Sequence, residues 1–312
     1  MLAARLCLAG VVFCVAMRSQ TAPTLDLPFE QIALSAKMAN AASLGTVSSV
    51  AVDRNGIVYV LQRGDKLDPV IAVDPEGRLL RSWGRGMFTV PHSIRVDADG
   101  NIWTVDAGSS IVLKFSPQGK KLQEIDVGEV APADRCAFPT LCGTTDIAFG
   151  PNGRLFISDG YGNARILEYT SGGARVKVWG SSGTGPGQFQ IPHGIAYDGK
   201  SLLVADRTNA RIQRFDLAGH YLGEWTNLGR PFALKMSGGS LWVAGMTVPG
   251  DNAARARAQV LKVDPADGKI LGQISAPGPH SIDVNDAGEL FASGCCGGVN
   301  PNAFFWLRTS AR

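Results

Sequence analysis

The sequence is poor in charged residues, and neither sign dominates. Charged residues make up 18% of the 312 residues, and the formal net charge is +3. A long run of lysine and arginine is the usual sequence sign of a nucleic-acid-binding surface. This sequence has no such run. We therefore expect no nucleic-acid partner, and no other motif indicates a particular protein partner.

Long apolar runs are also scarce. The one clear run covers residues 6–16 and follows Arg5; it is too short to cross a bilayer as a helix. This pattern predicts an export signal over residues 1–22 and a secreted or periplasmic protein without stable membrane insertion. A retained membrane anchor is the alternative interpretation. Residues 23–312 are expected to form a single domain.

Cysteine is sparse outside the predicted signal, where only Cys136, Cys142, Cys295 and Cys296 remain. In an oxidising compartment, the spacing of Cys136 and Cys142 suits a small-loop disulfide. The adjacent Cys295 and Cys296 either form a vicinal bridge or stay as thiols. Thiolate metal binding is not favoured, because the CxxC spacing of such sites is missing.

Glycine, by contrast, is abundant, with 38 residues. An alternating apolar stretch, a polar residue, a glycine turn and a second alternating stretch recur six times. The turn glycines are Gly56, Gly100, Gly153, Gly199, Gly239 and Gly288, with gaps of 44, 53, 46, 40 and 49 residues. Such spacing is typical of propeller blades with four short strands each. The repeat therefore predicts an all-β fold, a six-bladed β-propeller; a β-sandwich array would show no such regular period.

The physical reason for a ring is that one blade cannot bury both of its faces. Each glycine turn joins two strands into a hairpin, because glycine accepts a positive φ without steric cost. Neighbouring blades must then stack until the ring closes. The segments FEQIAL, from residue 29, and NAFFWLRTS, from residue 302, are the candidates for the closing strands.

Histidine is rare, and three of the four histidines occupy one place in the repeat. His92, His193 and His280 each open the first strand of a hairpin, six to eight residues before its turn glycine. In a propeller this strand lines the central channel. The three histidines fall in blades two, four and six, so they are expected to converge at threefold positions around the axis. The remaining blades carry other residues near this place: Ser49, Thr145 and Pro231.

Three neutral imidazoles around an open fourth position form a ligand set typical of catalytic zinc. The alternative interpretation is that the Pro-His pair only packs one blade against the next. Since the other three blades lack histidine at this place, packing does not require it. The fourth histidine, His220, falls outside the pattern and is expected on the surface.

Further polar residues are expected at the same mouth of the channel, because the second strand of each hairpin runs back toward it. Arg63, Tyr161 and Arg207 stand seven or eight residues beyond their turn glycines. Two cations and a phenol beside a metal suit a small-molecule or peptide substrate with an anionic C-terminus. The alternatives are an ion pair of Arg207 with Asp206 and a stacked loop position for Tyr161.

Several motifs together resemble the peptidyl-α-hydroxyglycine α-amidating lyases, also called peptidylamidoglycolate lyases. In order along the chain they are RGD at residues 63–65, PHSIRVDADGNIWTVD, TDIAF, FISDGYGNARI, PGQFQIPHGIA, VADRTNARIQRF and PHSIDV. The resemblance implies a propeller built of NHL repeats with zinc held by His92, His193 and His280. It also implies substrate contacts from Arg63, Tyr161 and Arg207.

The reaction implied by the resemblance splits the N–Cα bond of a C-terminal α-hydroxyglycine and yields a peptide amide and glyoxylate. Zinc would act as a Lewis acid on the substrate oxygens. Tyr161, near Arg63, would act as the base on the α-hydroxyl group, with its phenol acidified by the neighbouring cation. Arg207 would help to hold the substrate.

The sequence departs from the family pattern at three places. The resemblance implies a structural calcium on the backbone carbonyls of Val50 and Ile94 and on the residue after the last histidine. That residue is Ser281 where the family has aspartate, and calcium favours carboxylate oxygens, so calcium binding stays open. Gly278 replaces a methionine, and Gly162 replaces a cysteine that usually forms a disulfide, so the substrate fit near blade six also stays open.

Two other classes of function compete with a zinc lyase. One is a non-catalytic NHL-repeat propeller that binds a protein or a cell-envelope ligand with its rim. The other is a calcium-dependent lactonase or a similar propeller hydrolase, which needs an acidic cluster in the channel. Carboxylates near the channel mouth are scarce in the motifs of this sequence.

Overall fold

Strands make up nearly all of the regular structure. The computed structural model describes residues 25–128, 136, 141–248, 256–275, 279–294 and 301–309. Single-turn 3-10 helices occur at Leu34–Lys37, Ala41–Ser43 and Pro151–Gly153. Among the described residues, no helix has the length and apolar character that a membrane crossing requires.

Three of the sequence-based expectations lie outside the described residues. These concern the export signal at residues 1–22, the departure at Gly278, and the thiol state of Cys295 and Cys296. They stay predictions.

The strands form six antiparallel sheets of four strands each, which are the six blades of a propeller. The first strand of the chain, β1 (Phe29–Ala33), belongs to the sixth blade. Blade one contains β2 (Val47–Val52), β3 (Val58–Gln62), β4 (Val70–Val73) and β5 (Leu79–Trp83). Blade two contains β6 (Pro91–Val96), β7 (Ile102–Asp106), β8 (Ile111–Phe115) and β9 (Lys121–Asp126). Blade three contains β10 (Asp146–Phe149), β11 (Leu155–Asp159), β12 (Arg165–Tyr169) and β13 (Arg175–Trp179).

The second half of the ring repeats this arrangement after a short parallel pair, β14 (Ser181–Ser182) and β15 (Gln188–Phe189). Blade four contains β16 (Pro192–Tyr197), β17 (Leu202–Asp206), β18 (Arg211–Phe215) and β19 (Tyr221–Trp225). Blade five contains β20 (Arg230–Ser237), β21 (Ser240–Met246), β22 (Ala258–Val263) and β23 (Ile270–Ile274). Blade six contains β24 (Ile282–Val284), β25 (Leu290–Ser293), β26 (Phe304–Thr309) and β1. The prediction of an all-β, six-bladed propeller is confirmed.

The sixth blade closes the ring with strands from both ends of the chain. Strand β1 pairs antiparallel with β26, from Phe29 opposite Thr309 to Ala33 opposite Phe305. These are the two segments that the sequence offered as closing strands. The blade is therefore completed by the N-terminal strand in its outermost position.

The glycine turns adopt the backbone conformation that the repeat requires. All six turn glycines have positive φ, from 71° at Gly153 and Gly239 to 95° at Gly199. In each blade the turn joins the innermost strand to the second strand, as in β2 and β3. This places the start of every inner strand and the end of every second strand at the same mouth of the channel.

The apolar core lies between the blades. One buried apolar cluster fills the contact between each neighbouring pair of blades around the ring. In the cluster between blades one and two, for example, Tyr59 and Phe115 are fully buried. Because the apolar faces of each blade pack against the neighbouring blades, the inner strands can present polar side chains to the channel axis.

Candidate metal centre

The three repeat histidines meet on the channel axis. The ring centroids of His92, His193 and His280 are 4.9, 5.0 and 5.0 Å apart, close to an equilateral triangle. Each residue is buried, and the three potential ligand atoms lie within 4.8 Å of one another. The structure thus brings together the residues that the repeat singled out, while metal binding itself stays a prediction.

Each imidazole is oriented by a backbone carbonyl of the next blade. The Nδ1 atom of each ring donates a hydrogen bond to a backbone carbonyl oxygen. The distances are 2.6 Å from His92 to Thr145, 2.8 Å from His193 to Phe232 and 2.8 Å from His280 to Ser48. A carbonyl oxygen only accepts, so the proton of each neutral ring lies on Nδ1 and the lone pair lies on Nε2. Carbonyl contacts of this kind fix the tautomer and the orientation of metal-binding histidines.

The residues that correspond to the histidines in the other blades are Ser48, Thr145 and Phe232. The sequence comparison placed Ser49 and Pro231 near these positions, one residue away in each case. Ser48 and Phe232 are the unpaired residues of register shifts between Val47 and Ser49 and between Pro231 and Ala233, as His92 is between Pro91 and Ser93. This shared β-bulge makes them equivalent to the histidine.

Two glycines allow the backbones around His193 to approach closely. A Cβ atom at Gly194 would lie 2.7 Å from the carbonyl oxygen of Phe232, the acceptor for the His193 ring. A Cβ atom at Gly160 would overlap the carbonyl oxygen of Pro192. The carbonyl contact of the His193 ring therefore requires glycine at position 194, and Gly160 leaves room for the backbone just before His193.

Tyr161 lies directly against two of the three imidazoles. Its hydroxyl oxygen is 2.9 Å from the Nε2 atom of His92 and 2.9 Å from that of His193. The phenol has one proton and both nitrogens are acceptors, so it donates to one of them at a time. The backbone N–H of Tyr161 donates to the carbonyl of Gly143, which anchors the loop beyond β11.

Two arginines border the same mouth. The Nε atom of Arg63 donates to the carbonyl of Pro91, next to His92, over 2.9 Å. The guanidinium of Arg207 lies over the ring of Phe232 at 4.5 Å and forms a hydrogen bond with the phenol of Tyr161. The sequence predicted the placement of both arginines but gave no signal for Phe232 as the aromatic neighbour of Arg207.

The alternative interpretation of Arg207 as the ion-pair partner of Asp206 is wrong. The carboxylate of Asp206 pairs with Arg211 at 2.8 Å and also binds Asn209 and Gln213. The neighbouring acid therefore belongs to the blade framework, and Arg207 faces the site.

Burial keeps the three histidines neutral. It is the largest cause that lowers the pKa of His92 and of His193 well below the usual value, and the neighbouring histidines add to it. Burial, followed by the charge of Arg63, lowers the pKa of His280 to about 3. Neutral imidazoles with free Nε2 lone pairs are the form that binds a transition metal.

Two opposing effects act on the phenol of Tyr161. Burial raises its pKa, while the charges of Arg207 and Arg63 lower it, and burial outweighs them. The neighbouring cations thus lower the pKa of the phenol, as the resemblance implied, but in the protein without a metal this effect is smaller than that of burial. In this state Tyr161 is a protonated hydrogen-bond donor to the imidazoles.

The remaining predicted residues take clear positions. Val50 and Ile94 are fully buried on the neighbouring inner strands β2 and β6. His220 is exposed and its Nδ1 lies 2.8 Å from Asp216, in agreement with its expected surface location. Gly162 lies beside Tyr161 in the loop after β11 and is partly buried.

The small-loop disulfide expected from the cysteine spacing is present between Cys136 and Cys142. The backbone N–H of Cys142 donates to the carbonyl of Ala107. The disulfide thus lies at the start of the segment that leads to Thr145 and to the inner strand β10.

The histidine cluster fits a zinc ion. Zinc binds imidazole nitrogen at about 2.0–2.1 Å and, in catalytic sites, is held by three protein ligands with a fourth position open. The three buried, neutral rings supply such a set, and their tautomers are fixed by the carbonyls behind them. Among the described residues, this is the group of metal-binding side chains found close enough to share an ion.

Comparisons with known proteins identify a repeat and several sequence relatives. The family model described as NHL repeat matches residues 189–215, which include the whole of β16, β17 and β18. The mouse peptidyl-glycine alpha-amidating monooxygenase is 33% identical over 203 residues; the alignment covers 55% of this chain and 20% of the mouse protein. The chain therefore spans about a fifth of the length of that relative.

Two further relatives match larger shares of their own length. A Caenorhabditis elegans protein named as a probable peptidyl-alpha-hydroxyglycine alpha-amidating lyase is 26% identical over 291 residues, with 80% of both chains covered. The human NHL repeat-containing protein 3 is 33% identical over 196 residues, with 59% of this chain and 56% of that protein covered.

Solved structures support the fold alone. A streptogramin B lyase superposes with a TM-score of 0.62 at 17% identity, covering 90% of this chain and 98% of that chain. The names of the sequence relatives, in turn, support a lyase-like enzyme. Taken together, the chain is a six-bladed propeller that contains a segment matching the NHL repeat, and it is similar in sequence to proteins named as peptidyl-α-hydroxyglycine α-amidating lyases.

Proposed function

We propose that the protein is a zinc-dependent lyase that splits the N–Cα bond of a peptidyl-α-hydroxyglycine, or of a similar N-acyl α-hydroxyglycine, into an amide and glyoxylate. The observation that carries the proposal is the meeting of three carbonyl-oriented imidazoles, a phenol and two arginines at one mouth of the channel. The names of the relatives give the reaction class.

His92, His193 and His280 would hold the zinc through their Nε2 atoms, which already face the axis. When bound, zinc supplies Lewis acidity toward the substrate oxygens. The burial of the three rings supports this role, because it excludes bulk water and lowers the local dielectric constant, which strengthens every charge interaction with the substrate.

Arg63 and Arg207 would bind the substrate carboxylate and orient the N–Cα bond. Each guanidinium is itself held in place, Arg63 by the carbonyl of Pro91 and Arg207 by the ring of Phe232. A guanidinium fixed in this way binds a carboxylate with less loss of side-chain entropy. An anionic C-terminus is therefore the substrate feature that this mouth suits.

Tyr161 would move the proton of the reaction at its phenol oxygen. As a phenolate it takes the proton of the α-hydroxyl group, whose oxygen forms a double bond to Cα while the N–Cα bond breaks. The electron pair of that bond stays on the amide nitrogen, which takes a proton back from the phenol, so the tyrosine ends as it began. Arg207 and Arg63 favour the phenolate against the opposing effect of burial, and a zinc ion beside them would act in the same direction.

An extracellular or periplasmic location is part of the proposal. The Cys136–Cys142 disulfide supports it, because such bridges persist in oxidising compartments. The N-terminal signal pattern points the same way.

A non-catalytic NHL-repeat propeller is the second candidate function. It is favoured by the human relative, whose printed name refers only to its repeats. A lactonase-type hydrolase is not favoured, because the channel aspartates Asp146 and Asp283 form ion pairs with Arg95 and Lys235.

Metal content of the purified protein is the first test. We expect about one zinc per chain in the wild type, in line with one three-histidine site. The His92→Ala variant should lose most of this zinc. The matched control is His220→Ala, which removes an exposed histidine outside the channel and should keep the zinc.

Release of glyoxylate from α-hydroxyhippurate, measured with added zinc, is the second test. Wild type should be active, and Tyr161→Phe should lose most of the turnover while it keeps its zinc. Zinc binding without release of glyoxylate would refute the lyase assignment but would leave the metal site supported. Full turnover of Tyr161→Phe would reject the phenol as the base.

A further inference from the structure

Below the histidines, the channel contains a buried ion pair that the lyase proposal does not use. Arg95 of β6 and Asp146 of β10 contact each other through two hydrogen bonds, 2.9 Å from Nε to Oδ1 and 2.5 Å from Nη2 to Oδ2. Their side chains are 7% and 4% exposed. Burial lowers the pKa of Arg95, but the carboxylate of Asp146 raises it more, so the guanidinium stays charged.

The pair reaches most of the ring. The remaining donors of Arg95 bind the carbonyl oxygens of Ile282 in blade six, at 3.1 Å, and of Leu234 in blade five, at 3.4 Å. Asp146 accepts hydrogen bonds from the hydroxyl of Ser93 in blade two and from the backbone N–H of Ile195 in blade four. One ion pair therefore connects the inner strands of five neighbouring blades.

A hydroxyl chain joins blade one to its two neighbours. The hydroxyl oxygens of Ser49 in blade one and Ser281 before blade six are 2.8 Å apart. The backbone N–H of Ile94 in blade two donates to the same Ser49 oxygen over 3.1 Å. In addition, Asp283 of blade six accepts from the backbone N–H of Val52 in blade one. With the ion pair, these contacts complete the polar ring around the axis.

The structural calcium implied by the family resemblance does not fit this arrangement. Calcium takes six to eight oxygen ligands and favours carboxylates, whereas position 281 offers a hydroxyl group that is already bound to Ser49. The positive guanidinium of Arg95 binds the carbonyl of the very next residue, Ile282. A divalent cation beside Ser281 would be close to this charge and would be repelled by it.

We propose that the guanidinium of Arg95 serves as the built-in structural cation of the propeller and that the protein therefore closes its ring without calcium. The guanidinium holds carbonyl and carboxylate oxygens of several blades, which is what a calcium ion does in a ring of oxygen ligands. Its charge is compensated by Asp146, so the buried pair remains neutral as a whole. This inference is independent of the lyase reaction and of zinc.

The test is thermal unfolding of calcium-free protein that has been reloaded with zinc, with and without millimolar calcium. We expect the Tm of wild type to be unchanged by calcium, with magnesium as the control ion. A rise in the wild-type Tm with calcium, or one calcium per chain in elemental analysis, would overturn the proposal.

The Arg95→Met variant tests the replacement directly. It leaves the Asp146 carboxylate buried beside the carbonyls of Ile282 and Leu234, so the Tm without calcium should fall by about 10 °C. Calcium should restore much of this loss, while magnesium should not, because it requires a tighter octahedral site. In the double variant Arg95→Met/Asp146→Asn the calcium response should disappear.

The Arg95→Met variant can also refute the proposal. If the folded variant does not respond to calcium, the freed oxygens do not form a cation site and the proposal is wrong. If the variant cannot be recovered folded, refolding with calcium decides: recovery that depends on calcium supports the replacement, and failure under both conditions rejects it.

Discussion

Replacement of Phe232 by leucine would remove the aromatic support of Arg207 and keep the backbone carbonyl that orients His193. The guanidinium lies 4.5 Å from the ring, and Phe232 is 6% exposed. A cation over a largely desolvated ring gains about 1–2 kcal/mol, which corresponds to a loss of about five- to thirtyfold in kcat/KM. Most of the loss should appear as a higher KM, because the role proposed for Arg207 is to bind the substrate anion.

The assay is steady-state glyoxylate release, with zinc content and Tm measured on the same samples. Zinc content should stay at the wild-type level, since the carbonyl of residue 232 is unchanged. The control is Phe156→Leu, which removes another aromatic ring under an arginine, Arg154 at 5.2 Å, outside the mouth. That variant should lower the Tm and leave KM unchanged.

A double-variant cycle shows whether Phe232 acts through Arg207. If it does, Phe232→Leu should add little to the loss already caused by Arg207→Gln, since coupled residues are not additive. Two results would refute the reasoning: an unchanged kcat/KM in Phe232→Leu, or losses from the two variants that simply multiply.

Two further predictions concern the support of the site. Gly194→Ala should weaken zinc binding about 10- to 100-fold by displacing the carbonyl that orients His193. The control is Gly172→Ala, where an added Cβ meets no atom closer than 3.8 Å, and it should leave the zinc affinity unchanged. Zinc affinity is measured by competition with a chromophoric chelator. Removal of the disulfide by Cys136→Ser with Cys142→Ser should destabilise the fold by about 2 kcal/mol for so short a loop, seen as a lower Tm that a reducing agent no longer changes; equal Tm values for variant and wild type would contradict this.

The positions of the site residues followed from the sequence because the repeat fixes the direction of the strands. Once the turn glycines define six hairpins, His92, His193 and His280 must open inner strands, and Arg63, Tyr161 and Arg207 must follow second strands at the same mouth. This part of the argument needs only the length of a strand and the position of its turn.

Local irregularities were not visible in the same way. Ser48 and Phe232 are equivalent to His92 because each is the unpaired residue of a β-bulge, and the sequence pattern does not mark which residue of a strand is unpaired. The effect of burial on the Tyr161 pKa was not visible either, because the sequence shows which charges are near but not how completely the phenol is buried.

The Arg95–Asp146 pair is the largest feature that the motifs did not reveal. A signal was present, since both charged residues stand within inner strands, IRV and TDIAF, whose other side chains are apolar or small. A charge at a position that must be buried requires a partner. The sequence alone does not say which of several channel residues that partner is.

The way in which blade six is completed has a consequence for the order of assembly during synthesis. Blades one to five each consist of a contiguous stretch of chain, so each can form as soon as it has been made. Strand β1 pairs with β26, which is made last, and until then its backbone groups have no permanent partner. The nascent chain therefore exposes an open sheet edge at its beginning for nearly the whole of translation, and such edges promote association with other chains. Keeping the chain unfolded until β26 has been made would avoid this hazard.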